Sequence, residues 1–320
     1  LAPLGSASLS LAYLMGKPIS LFCHHDESVM LSNAFKLDGK RLLPEQKFKR
    51  FVDEVVKRHY KCSSIIFVAT RKFREKLTRI NIPNDKIIYA PFAVDTLKFS
   101  PNKDNSFRET LGIGKDAKVV LNLGRMSHEK NVETVIKAAP EVIRQIGEVY
   151  FVFAGGGSKL EEYKKLATRL AIQSHCIFTG WVEWEDTPSY YSMADVFVFP
   201  SFHESQAFVV MEAMASALPV IVPAEPESDL TYYKEGENCI FLENNKDYHE
   251  LAEKIVKVLQ DDEYREKLCR NARLKIESYS WEEHLKRLFE GFEIAKANWQ
   301  NRRHSDGIRG VVRRKSPQIL

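Results

Sequence analysis

"KVVLNLGRMSHEKNVETVIKAAPEVIRQIGEVYFVFAGGG", residues 118–157, is the stretch whose reading decides the fold. "KVVLNLG" is a short, continuous apolar run that breaks at Gly124, which marks a buried strand. "NVETVIKAAPEVIRQIG" repeats its apolar positions at helical spacing and closes on a glycine, as a helix does. "VYFVFAGGG" is apolar on successive positions, so neither face of that strand meets water. Strands of this kind belong to parallel sheets covered by helices on both sides.

The alternation continues downstream. "SKLEEYKKLATRLAI" reads as a helix, "CIFTGWV" as a strand, "EDTPSYYSM" as a short helix and "ADVFVFP" as a strand. "FVVMEAMASA" is a helix, "LPVIVP" and "NCIFL" are strands, and "YHELAEKIVKVLQ" is a helix. This predicts a complete doubly wound α/β domain over residues 100–280. Residues 1–99 predict a partial domain of the same type plus a linker. Its helix and strand at "ASLSLAYLMGKPISLFCHHD" are followed by the basic helix "PEQKFKRFVDEVVKRHYKC". A strand "SSIIFVAT", a helix "RKFREKLTRI" and a strand "KIIYAPF" complete it. The strand-loop-helix start of such a domain is missing, so an N-terminal truncation is expected. "AVDTLKFSPNKDNS" is the linker. Helices are expected at 262–276 and over 281–298, the latter crossing back to the N-terminal domain. The aperiodic, arginine-rich segment 299–320 is expected to be disordered.

Composition narrows the class. A chain of 320 residues with 44% hydrophobic and 28% charged residues is an ordinary globular protein of about two domains. Its five cysteines are scattered without a C-x-x-C pair, which argues against a disulfide framework or zinc site and for a reducing, cytoplasmic setting. No apolar run approaches membrane-spanning length, and the start shows no signal-peptide pattern. The net charge of +4 is unevenly spread. Residues 1–95 carry 16 Lys/Arg against 9 Asp/Glu, residues 299–320 carry 6 against 1, and the middle 25 against 33. Basic ends around an acidic body suit phosphates or anionic lipid, with a plain solvated surface as the alternative. DNA binding has no recognition motif to support it.

In open α/β sheets ligands sit beyond the carboxyl ends of the strands. After the strand ending at Gly124 comes "GRMSHEKN", where Arg125 and Lys130 lie beside a helix start. Two cations and a helix N-terminus suit a diphosphate, although two ordinary surface cations remain the plainer alternative. No P-loop and no G-x-G-x-x-G occurs. Gly155–Gly157 either admit a ligand to the backbone or form a tight turn. In "SFHESQAFVVMEAMASALP", residues 201–219, Glu204 precedes a helix and Glu212 lies within it. The amides of Gln206, Ala207 and Phe208 sit where a helix start faces an anion. Two carboxylates accepting hydroxyls around a diphosphate cradle describe a nucleotide-sugar. A glycosidase pair fits less well: eight helical positions span about 12 Å, against about 5–10 Å for such pairs.

Together "LNLGRMSHEKN" and "PSFHESQAFVVMEAMASALPVIVP" resemble the retaining GT-B glycosyltransferases of family 4, glycosyltransferase group 1. "APFAVDTLKFSP" resembles that family's inter-domain segment. The resemblance implies two Rossmann-like domains and a hexose transferred, with retention, from a nucleotide-diphosphate sugar, UDP-sugar foremost. It implies Arg125 and Lys130 on the donor diphosphate, Glu204 and Ser205 by the donor sugar, Glu212 on the ribose, and Gly180, Trp181 and Val182 near the base. His24 in "FCHHD" would steady the reacting sugar. No cofactor is implied. The absence of a compact Asp-x-Asp signature fits metal independence. "ESQAFVV" with "EAMAS" is most similar to enzymes that glycosylate diacylglycerol, including sulfolipid synthases. Lys47, Lys49, Arg50, Lys57, Arg58 and Lys61 would then meet an anionic membrane surface, giving peripheral attachment on the cytoplasmic face. A soluble or polysaccharide acceptor, or a nucleotide-sugar-binding fragment without catalysis, are the other readings. Ala93, Ala207 and Ala217 stand where the family usually has glycine, and a methyl at 207 is expected to crowd a donor-facing backbone.

Overall fold

The structure is a computed structural model that describes residues 11–12, 15–23, 45–102, 106–202, 207–224 and 233–305. The chain divides into two compact units, one of residues 93–281 and one that joins residues 1–92 to residues 282–320.

The larger unit is built on a six-stranded sheet. Its strands are β4 (Lys118–Leu123), β5 (Val149–Ala154), β6 (Cys176–Gly180), β7 (Val196–Val198), β8 (Val220–Pro223) and β9 (Ile240–Leu242). All neighbours pair parallel in the order β6-β5-β4-β7-β8-β9. Counted within the unit this is 3-2-1-4-5-6, the dinucleotide-fold order, and its winding reverses between β4 and β7. The apolar runs are explained by burial on both faces. Val119 and Leu121 of β4 join one core with Val152 and Phe197, while Val120 joins the opposite core with Phe151 and Val198. The covering helices are Val132–Ile146, Leu160–Arg169, Thr187–Met193, Phe208–Ala215, Tyr248–Gln260 and Asp262–Glu277.

Sequence periodicity missed one short helix, Ser106–Thr110, because it is brief and charged. Its Arg108 is nonetheless buried. The guanidinium donates to the carbonyls of Met193, Lys115 and Ala117, and Nη2 lies 3.0 Å from Asp195 Oδ2. The same Asp195 oxygen accepts from the Val119 amide at 2.8 Å. In the low dielectric of the core a charge survives only with such pairing. Asn122, buried in β4, donates to Val198 O at 2.7 Å and ties β4 to β7 at the reversal.

Among the described residues, the smaller unit has a parallel sheet of three strands, β1 (Ser20–Cys23), β2 (Ile65–Val68) and β3 (Ile87–Tyr89), in sequence order. Helices Glu45–Cys62 and Arg71–Arg79 connect them. The long helix Trp281–Ser305 joins this unit from Glu282 onward. It approaches β2 so closely that a Cβ on Gly291 would lie 2.3 Å from the Phe67 ring. Ala295 is buried with Ile65, Phe67 and Ala90, and Trp299 Nε1 donates to Gly16 O at 2.6 Å. This helix continues through Ser305, so the first residues of the segment expected to be disordered are helical.

Candidate functional site

The reversal between β4 and β7 opens the crevice where this fold takes ligands, and two loops meet there. After β4, Gly124 turns with φ 152°, and residues 128–130 form a single 3-10 turn closing on Asn131. Asn131 is left-handed, φ 53° and ψ 36°, a conformation that glycine or asparagine adopts most readily. Its side-chain amide donates to Pro200 O at 3.1 Å and also to Asn245 O. From the β7 side, Ser201 Oγ and the Phe202 amide both donate to Glu129 O, at 3.0 and 2.9 Å. The two loops are therefore stitched together through backbone carbonyls on both sides before any ligand arrives.

The cations ride on this stitched loop. Arg125 is exposed, and its Nε lies 3.8 Å from Glu129 Oε1. Ser127 Oγ donates to the same carboxylate oxygen at 2.7 Å. The Ser127 bond, its own backbone amide and the nearby Arg125 hold the Glu129 carboxyl below its ordinary range. Lys130 Nζ sits 5.2 Å from the centre of the Phe199 ring, in the β7 loop. The structure thus brings Gly124 and Lys130 up to Phe199, with Arg125 on the same loop beside Glu129.

The three glycines after β5 do something neither expected reading described. A Cβ on Gly155 would lie 2.0 Å from Gly124 O, and one on Gly157 would lie 2.4 Å from Met126 O. They exist so that the β5 exit can lie against the β4 exit. Met126 N donates to Gly156 O, and Gly155 N donates to Gly180 O, each at 2.9 Å. The exits of β4, β5 and β6 are consequently one laced platform. Trp181, just past β6, is largely exposed, with its Nε1 donating to Glu183; Val182 is partly buried against the core.

Glu212 lies one turn into helix Phe208–Ala215 and is buried, 8% exposed. Tyr191 OH donates to its Oε2 at 2.8 Å and Trp184 Nε1 to its Oε1 at 3.2 Å. Desolvation raises the Glu212 carboxyl above its ordinary value, with the two donors and the charge of Lys98 pulling the other way. Burial and the facing carboxylate push the Tyr191 hydroxyl well up, so it stays a donor. Sequence reading missed Trp184 and Tyr191, whose partner is 28 and 21 residues away with no local spacing to signal it.

The helix that carries Glu212 has Ala207 at its N-cap position, a residue with no side-chain oxygen to cap it. Phe208 is half exposed. Ala207 has φ −84° and a methyl buried in the core, an ordinary conformation for alanine. Ala217 has φ 53°, the left-handed region where glycine is at ease. His24, Glu204, Ser205 and Gln206 lie outside the described residues.

Stitched strand exits, two cations and the start of a helix gather at the switch point of a doubly wound domain. The profile of the family described as "Glycosyl transferases group 1" matches residues 103–275, and the chain belongs to that family. Over 241 residues it is 28% identical to an uncharacterized glycosyltransferase of Methanocaldococcus jannaschii, across 74% of this chain and 61% of that protein. Over 119 residues it is 39% identical to alpha-monoglucosyldiacylglycerol synthase of Streptococcus pneumoniae, across 37% of this chain and 27% of that protein. Among solved structures, Anabaena HepE in complex with UDP matches 90% of this chain and 75% of its own, with TM-score 0.74 and 17% identity, a likeness of fold. The chain therefore spans less than two thirds of the length of these curated relatives. The expected fold class, GT-B with doubly wound parallel α/β domains, agrees with the two parallel sheets of the described residues and with this likeness of fold.

Proposed function

We propose that this chain forms the donor site of a retaining hexosyltransferase that takes a UDP-sugar and passes its sugar to a membrane lipid. The observation that carries the donor half is that Lys130 lies against Phe199 of the β7 loop at the switch point, with Arg125 on the same β4 loop, whose Glu129 carbonyl accepts from Ser201. Cations and helix amides there would take up the charge that develops as the sugar–phosphate bond breaks and the electron pair leaves with the diphosphate. The acceptor hydroxyl would attack on the face the diphosphate leaves, and a diphosphate oxygen would receive its proton. Glu204 and His24 keep the roles the resemblance implies, beside the transferred sugar, and Glu212 accepts from the ribose hydroxyls.

Calorimetric titration with UDP tests the donor half. A hydrogen bond to a charged group is worth about 1.5–3 kcal/mol, so Lys130→Ala or Arg125→Ala should weaken binding about tenfold or more. Unchanged affinity in both variants would overturn the assignment.

The lipid acceptor rests on the diacylglycerol-directed relative and on the basic helix Glu45–Cys62. On that helix Arg50, Arg58 and Lys61 are exposed and Lys57 is partly so, while Arg58 lies 3.5 Å from Glu54. Flotation with vesicles containing phosphatidylglycerol should retain the chain and release it at high salt. Flotation indifferent to anionic lipid would favour a soluble or polysaccharide acceptor.

A further inference from the structure

We propose that Trp184 and Tyr191 are positioning residues that aim the Glu212 carboxylate at the donor ribose, and so set how strongly the site tells a ribose from a deoxyribose. The proposal rests on the reading of Glu212 as the acceptor of the ribose hydroxyls.

A carboxylate carries two oxygens with two lone-pair directions each. Tyr191 OH, nearer to Oε2 at 2.8 Å than to Val209 O at 3.1 Å, fills one direction on Oε2, and Trp184 Nε1 fills one on Oε1. One acceptor direction is left on each oxygen, and the two are fixed relative to one another. Side-by-side acceptors of that kind match the adjacent hydroxyls of a ribose, one hydrogen bond to each oxygen. A glutamate without these partners would have to be ordered by the ligand itself, and binding would bear that entropic cost.

The two donors are themselves held. Lys98 Nζ lies 3.1 Å from the centre of the Trp184 ring, and Phe99 meets that ring edge-on at 6.0 Å. Phe99 also meets Tyr191 edge-on at 5.7 Å. The segment bearing Lys98 and Phe99 is fixed in turn. Asp95 Oδ1 accepts from the amides of Leu97 and Lys98, and Arg273 donates to Thr96 O and Phe99 O. Trp184 remains half exposed while its N–H is committed to a buried carboxylate. Burial of its ring is therefore a poor account of why a tryptophan stands there, whereas a fixed N–H donor is a sufficient one.

The test is calorimetric titration of the full chain with UDP and with 2′-deoxy-UDP, for wild type, Trp184→Phe, Tyr191→Phe and Glu212→Gln. Trp184→Phe keeps a ring under Lys98 and removes only the N–H; Tyr191→Phe removes only the hydroxyl. Wild type should prefer UDP by about tenfold, the value of one hydrogen bond to a charged group. Either phenylalanine variant should lose most of that preference while binding 2′-deoxy-UDP about as wild type does. Equal weakening of both nucleotides would mark a merely structural role and overturn the proposal. A retained preference in both phenylalanine variants, with loss in Glu212→Gln, would overturn it while leaving the ribose reading intact. Retention of the preference in Glu212→Gln would remove the ribose reading itself and the proposal with it.

Discussion

Replacing Ala217 by glycine should stabilise the larger unit, while the same replacement at Ala207 should weaken it. The family resemblance implies glycine at both positions, so resemblance alone gives the two changes the same sign. Backbone geometry separates them. Ala217, at φ 53°, follows helix Phe208–Ala215, with its amide bonded to Met214 O at 3.0 Å. Holding a side chain in that left-handed region costs about 1–2 kcal/mol, and glycine returns about 0.4–1 kcal/mol of that as unfolded-chain entropy. The net gain is therefore about 0.5–1 kcal/mol. Ala207, at φ −84°, has no strain to release. Glycine there adds the same entropy penalty and removes a buried methyl worth about 0.8 kcal/mol, for a loss of about 1–2 kcal/mol. For a unit of this size each kcal/mol moves the midpoint by about 2–4 °C, so the two variants should melt several degrees apart on opposite sides of wild type. Differential scanning calorimetry with UDP absent reads this directly. An Ala217→Gly chain no more stable than wild type, or an Ala207→Gly chain more stable, would refute the reasoning.

Gly155→Ala places a methyl 2.0 Å from Gly124 O at φ 137°, which should cost about 2–5 kcal/mol in strain and overpacking. Gly114→Ala, with nothing within 4 Å, serves as the near-neutral control in the same urea titration. Gly291→Ala should lower the unfolding midpoint of the smaller unit alone, by about 1–3 kcal/mol of overpacking against Phe67, read as loss of one of two calorimetric transitions' temperature. Glu212 makes a pH prediction. Desolvation lifts its carboxyl above 4.5, so the folded chain holds that proton more tightly than the unfolded one. Its contribution to stability is then fully present below the unfolded value and lost as pH rises through the folded one. Relative to Glu212→Gln, wild type should lose melting temperature as pH rises from 4.5, and a pH-independent difference would count against a buried ionisable group.

What the sequence made legible was local. "KVVLNLG" and "VYFVFAGGG" became β4 and β5 because consecutive Val, Leu and Phe can only be a strand buried on both faces. The helix after Asn131 followed from spacing, and the one carrying Glu212 from its run of small and apolar residues. What stayed hidden depended on chain segments far apart. Gly155 and Gly157 read as turn residues because the carbonyls that forbid their side chains come from the β4 exit. Arg108 drew no notice in the sequence because its carboxylate partner is 87 residues away. Glu212 was recognised as an acceptor, yet its two donors were not, since neither indole nor phenol shows its hydrogen-bond partner in a linear pattern.

The ends of the larger unit carry a practical consequence for dissecting the molecule. Val94 N donates to Tyr279 O at 3.0 Å, so the chain enters and leaves that unit one hydrogen bond apart. Units with adjacent ends are the kind that can be cut out or transplanted whole. The cut must respect Arg108. A piece beginning at β4 would keep Asp195 buried and strip away its guanidinium, a loss of about 3–5 kcal/mol. A piece spanning residues 93–281 keeps both the hydrogen-bonded ends and the clamp. Expressed by itself, it would carry the proposed donor site without residues 1–92.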